Sequence, residues 1–230
     1  MSPGCIAILI FLLLLVLVPL FLTQVMFIAL ARLGLSAEMA FFVLLGIFIG
    51  GAVNIPLKKI ERDQNLEYNP FHIFALHKIL PGDWSSSLRP RFRSYMVIAI
   101  NVGGCLIPLS IAIYEISRVL NQGRYESFVL LAITVLNIAV CYRLARPIPN
   151  VGIGLPPLIS PVVSALPSLL LVPSFAPPIA FTAGVLGPLI GADLFHLKDI
   201  GRLQTGVASI GGAGTFDGIV LSGMIAALLA

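Results

Sequence analysis

Apolar residues run along this chain in blocks long enough to cross a bilayer, and the polar positions between them mark where each block ends. Residues 5–31 form the first block, interrupted by Pro19 and mildly polar at Thr23 and Gln24. A turn at residues 32–38 follows, with Gly34 the expected stop and Ser36 the expected cap of the next helix. Residues 37–57 predict a second span, whose Gly46-x-x-x-Gly50 spacing, extended by Gly51, admits a close neighbour. Asn54-Ile55-Pro56 marks a helix end or kink there, because the residue before proline avoids the α region. Residues 95–118 and 128–142 predict a third and a fourth span, carrying Asn101 and Asn137. Amides in such positions ordinarily bond across helices, at about 0.6–2 kcal/mol each.

Beyond the fourth block the pattern changes, because ten of the seventeen prolines lie between residues 147 and 188. Each interior proline removes a backbone bond and clashes with the preceding turn. Residues 151–173 therefore predict a kinked or re-entrant fifth element, and residues 179–194 a short sixth with a Gly187-x-x-x-Gly191 packing face. The last block, residues 203–230, has four glycines between 206 and 214, each costing about 1 kcal/mol relative to alanine in a helix. That predicts an extended or looped stretch over 206–214 and a final helix from about residue 216 to 230, with Thr215 as its cap. Taken together, the pattern predicts an all-α membrane bundle of six or seven spans, forming one domain over residues 1–230.

Composition agrees: 58% of residues are hydrophobic and 10% charged, against about 25% charged in soluble domains. The net charge of +4 sits mostly in residues 58–94, so it speaks for orientation rather than nucleic-acid binding. Counting basic residues places that loop, the turn at 143–150 and the turn at 193–202 in the cytoplasm, eleven against three. The amino terminus is then inside and, if seven elements cross, the carboxyl terminus outside. Within the loop, residues 70–80 with Trp84 predict a short helix in the headgroup region, a surface for anionic lipid or a soluble partner. His72 and His77 are about 140° apart on such a helix, poor spacing for one metal. Ala29-Leu30-Ala31 imitates a signal-peptide cleavage site, but the uncharged start and long apolar run favour an uncleaved first helix. Cys5, Cys105 and Cys141 have neither disulfide nor metal spacing and read as small buried hydrophobes.

Candidate chemistry gathers at the carboxyl-terminal end, in Asp193, Asp199 and Asp217. A carboxylate at mid-bilayer depth costs about 2.5–3.5 kcal/mol even on the gentler insertion scale, so it is a functional hypothesis by default. Asp199 has Lys198 and Arg202 as interfacial ionic partners. Asp193, His196 and Asp199 share part of a helix face, but those simpler partners leave no metal site assigned, and no pattern names a cofactor. The glycine run lacks GxxxxGK[ST] and is not a phosphate loop. Asp217, at the mouth of a helix broken by the glycines, can approach Asp193 at the end of the sixth element. Two carboxylates sharing a site resist ionising together, which equips one as base and the other as acid.

Gly191-Ala192-Asp193 and Phe216-Asp217-Gly218 bear a loose likeness to the two aspartates on successive spans of presenilin-type intramembrane proteases. The Gly-x-Gly-Asp motif itself is absent and no Pro-Ala-Leu follows, so no role is carried across. Gly191-Ala192-Asp193-Leu194 and the run SIGGAGTFDGI from Ser209 to Ile219 resemble the terminal elements of a family of uncharacterised prokaryotic integral membrane proteins, a domain of unknown function. That resemblance implies a family but no activity. From the residues, an aspartyl hydrolase using Asp193 and Asp217 is expected. Its alternatives are an ion- or proton-coupled carrier, a non-catalytic membrane subunit, and a structural role in which Asp217 caps its own helix and Asp193 sits in interfacial water. Gly212, Gly214, Thr215, His196, Asn54 and Asn101 are the further candidates for substrate or ion contacts.

Overall fold

The computed structural model describes residues 3–61, 95–148, 152–200 and 207–230. The expected interfacial helix at 70–80, His72, His77, Trp84, most of the basic loop, Arg202 and the side chain of Asp199 lie outside the described residues. The described chain is mostly helical, as the apolar blocks require. Helix α1 covers Pro3–Arg32, and its chain reversal uses Gly34 at φ 82°. Helix α2, Ala37–Gly50, is capped by Ser36, whose hydroxyl accepts the Met39 N–H at 3.3 Å.

Here the structure departs from the expected spans. Helix α2 stops at Gly50, and the chain turns into strand β1, Asn54–Glu61. Residues 95–101 form β2, Tyr95–Asn101, antiparallel to β1, instead of the start of a helix. The physical reason is local: Pro56 excludes its predecessor from the α region, and Tyr-Met-Val-Ile-Ala-Ile favours a strand over a helix of the same polarity. A short apolar strand and a buried helical segment have no distinguishing period at this length. From Val102 a wide π turn leads into α3, Ile107–Gln122.

Helix α4, Arg124–Leu144, is followed by a small hairpin, β3 (Arg146–Ile148) with β4 (Gly152–Gly154). The proline-rich fifth element is a helix, α5, Ile159–Leu171. At 13 residues it reaches only about 20 Å. Helix α6, Ala176–Leu186, continues into a π segment, Gly187–Leu194. After one helical turn at Leu197–Ile200 comes strand β5, Val207–Ile210, which joins β2 in parallel to give the sheet order β1-β2-β5. The final helix, α7, covers Gly218–Leu229. The break in the last block is thus where the glycines predicted it.

Among the described residues, four helices are long and apolar enough to cross a membrane: Gly4–Arg32, Val102–Gln122, Arg124–Leu144 and Pro173–Leu194. Three more, α2, α5 and α7, are apolar but shorter. The core gathers Met26 and Leu30 of α1, Leu33 of the turn after it, Leu44 and Ile47 of α2, Phe181 and Val185 of α6, and Met224 of α7. The polar hub of the bundle is Asn137 on α4, which is fully buried. Its amide nitrogen donates to Ser160 Oγ and Ser164 Oγ on α5, both at 2.9 Å, and to the Ala183 carbonyl on α6 at 2.8 Å. Ser160 Oγ in turn lies 2.6 Å from Ser222 Oγ on α7. Four helices therefore share one network, the structural role the sequence assigned to that amide. At the other end of α3, the buried Glu115 pairs with Arg118 at 2.9 Å, and Arg118 also donates to the Leu33 carbonyl and lies over the Phe175 ring.

Candidate functional site

The glycines around residue 211 set the shape of the site. Strand β5 ends in a turn where Gly211 has φ 72° and Gly214 φ 60°, values that favour glycine. Gly211 also packs its backbone against Gly104, and a Cβ on either would overlap the other's main chain. This contact draws the turn onto the π segment that begins α3. The turn closes through Gly212 N–H to the Ser209 carbonyl at 3.1 Å and Gly214 N–H to the Gly211 carbonyl at 3.0 Å.

Asp217 then caps α7. Its Oδ1 accepts the Ile219 N–H at 2.9 Å, and its Oδ2 accepts the Ala213 N–H at 3.3 Å. The expected cap, Thr215, does not serve: a short 3-10 turn over Gly214–Phe216 delays the helix start, so the extended residue at the boundary is Asp217. Asp193 arrives from another direction, on the last turn of the π segment after α6. Gly187 and Gly191 let that segment lie directly on α4, against Asn137, Ile138 and Cys141. Asp193 lines the same cavity as Gly211 and Asp217.

Both carboxyls line one cavity of about 560 Å³, within the range of about 300–1,000 Å³ typical of ligand sites. Its walls are β4, the run of β5 into its turn, the start of α5 at Ser160 and the start of α7 as far as Ser222. Both aspartates are partly exposed to it. Among its described lining residues there is no lysine, arginine or histidine.

Of the other candidates, Gly212 lines the cavity, whereas Gly214 and Thr215 lie behind it, with Gly214 against Gly51. Asn54 and Asn101 serve the wall rather than the cavity. The Asn101 amide donates to the Gly51 carbonyl at 2.8 Å and to Asn54 Oδ1 at 3.1 Å, and its own oxygen accepts the Gly104 N–H at 2.7 Å. Ser209 Oγ donates to the same Asn54 oxygen at 2.5 Å, which ties β5 to β1. His196 turns away: its Nδ1 sits 2.9 Å from the Ala192 carbonyl and 3.2 Å from that of Gly191, and its ring lies on Tyr142. No group of three or more metal-binding side chains occurs among the described residues.

Sequence reasoning missed Ser160 and Ser222, which line the cavity and bond to each other through their hydroxyls. A signal existed for the first, since Ser160, Ser164 and Ser168 recur every four residues and so stripe one face of α5. None marks Ser222.

No curated protein and no solved structure matches the chain. The model of a family described as a protein of unknown function, DUF1614, matches residues 48–229, which take in the sheet, the hairpin and both aspartates, and the chain belongs to that family.

Proposed function

We propose that this protein is an intramembrane hydrolase in which Asp193 and Asp217 act as a catalytic pair. The observation that carries this reading is that two carboxyls, from elements on either side of a broken span, line one cavity. One holds a proton while the other is charged, since two carboxylates at close quarters resist ionising together. Asp217 is the better seat for the charge, because amide N–H groups already reach both its oxygens at a helix N-terminus. Asp217 then takes a proton from water as the oxygen attacks a carbonyl carbon, and Asp193 gives its proton to the carbonyl oxygen. Collapse of the resulting gem-diol breaks the bond to the leaving group, which receives the proton held on Asp217, while Asp193 takes back a proton from one of the two hydroxyls as the C=O re-forms. Ser160 and Ser222, bonded to each other, tie this wall to the Asn137 network.

The reading also takes all seven of these apolar helices into the membrane, four as full spans and α2, α5 and α7 as shorter ones, with residues 58–94 cytoplasmic. A deep, broken helix is tolerated where its free backbone lines a protein cavity.

A photoreactive peptide carrying a tetrahedral hydroxyl isostere tests the chemistry, because a pair built for the transition state binds such a mimic more tightly than substrate. Labelling should fall at least tenfold in Asp193→Asn and in Asp217→Asn and stay unchanged in Glu38→Gln, an exposed residue on α2. Equal labelling of all four proteins would refute the pair.

A second reading, an ion- or proton-coupled carrier, is supported by the acid at the start of a half-length helix. Asn54 and Asn101 drop out of it, since each is engaged within the wall. Proteoliposome flux unaffected by Asp217→Asn would remove it.

A further inference from the structure

Two strand edges border the cavity. Strand β5 is the outer strand of its sheet, and β4 pairs with β3 in a sheet of two. Residues of both strands line the cavity, and among the described residues no further strand pairs with either. In the hairpin, Ile153 stands opposite Pro147, which has no N–H to offer. Ile153 therefore belongs to a non-hydrogen-bonded pair, and its own N–H and C=O point to the open edge.

Unpaired strand edges template the addition of another strand, and the need is stronger away from bulk water, where each orphaned backbone group costs several kcal/mol. The chemistry of the remaining wall narrows the occupant. Ile153, Leu155, Val207, Ile219 and Leu221 supply apolar surface, and the only charged groups in the described lining are the two aspartates. With no cation to receive it, a phosphate or carboxylate ligand would meet two acids unaided. An uncharged, extended backbone with apolar side chains meets what every wall offers.

We propose that the cavity takes an extended apolar peptide segment as an added strand on β4, β5 or both. This rests on the hydrolase reading only for the step after binding, the placing of one backbone carbonyl between Asp193 and Asp217; strand addition stands on the edges alone. The test uses a blocked octapeptide of valine, leucine and alanine with one photoreactive leucine, applied to the full-length protein in detergent. Two further versions carry N-methyl groups on alternate amides, one in each phase. Adducts should map to Gly152–Gly154, to residues 207–213 or to both, and at least one N-methylated phase should lose labelling tenfold or more. Where adducts map to Gly152–Gly154, Ile153→Pro should weaken labelling well beyond Ile153→Ala, which loses the same packing on Ile98, since β3 does not use that N–H. Labelling insensitive to both phases, or mapping elsewhere, overturns the proposal.

The same titration in Asp193→Asn separates the two ideas. Phase-dependent labelling there, with no cleavage of the peptide by the unaltered protein, keeps the strand site and removes the hydrolase. Cleavage with phase-insensitive labelling does the reverse.

Discussion

Asn137 illustrates how a single polar side chain is decided by what surrounds it. It is fully buried, it donates to two serines and one carbonyl, and its oxygen accepts from the Cys141 thiol. Replacing it with leucine removes the hub and leaves its partners to find others. Asn137→Leu should therefore lower stability in detergent by about 1–2 kcal/mol, read as a lower melting temperature. An unchanged melting temperature would mean that the four helices are held by packing alone. That role was legible in the sequence, because an amide in an apolar block has little else to do. Asp217 was legible only in part. Its position after four glycines announced a helix start, but which residue caps depends on a 3-10 turn that no local pattern marks. Ser222 was not legible, since a lone serine in an apolar helix looks the same wherever it points.

At the scale of elements, the glycine-rich crossing of β5 with the start of α3 makes the site. Gly104 and Gly211 touch through their backbones, so Gly104→Ala would force the turn at 211–214 off the bundle. The expected cost is roughly 2–4 kcal/mol, together with loss of isostere labelling. Gly218→Ala is the matched control. A Cβ there meets nothing within 4 Å, it sits in the first turn of α7, and its effect should stay within about 0.5 kcal/mol. Thermal melts of the pair check both, and equal losses would show that the crossing is not special. The break itself could be read from glycine counts, because helix propensity is a local property. The sheet could not. Strands β1 and β2 lie far apart in sequence, either side of residues 62–94, and their apolar composition fits a helix as well as a strand until the partner is known.

For the whole molecule, basic residues predict the orientation. Residues 58–94 and the turn at 143–150 should be labelled by a membrane-impermeant thiol reagent from the cytoplasmic side after single cysteine substitution at Lys58 or Arg146, and position 124 from the opposite side. Labelling of all three positions from one side would contradict it. The cavity belongs to the end of the bundle that carries β1, β2, β5 and the hairpin, whereas the Glu115–Arg118 pair and Leu33 fasten the other end. Catalysis there requires two aspartates, 24 positions apart in the chain, to meet across that cavity. The most direct test is a D193C/D217C protein, with the three native cysteines replaced by alanine, treated with a bifunctional thiol reagent spanning roughly 5 Å, the reach over which two such groups interact strongly. If the two positions meet, one reagent is bound per protein with both thiols consumed. Two reagents bound singly, each with a free end, would contradict the pair.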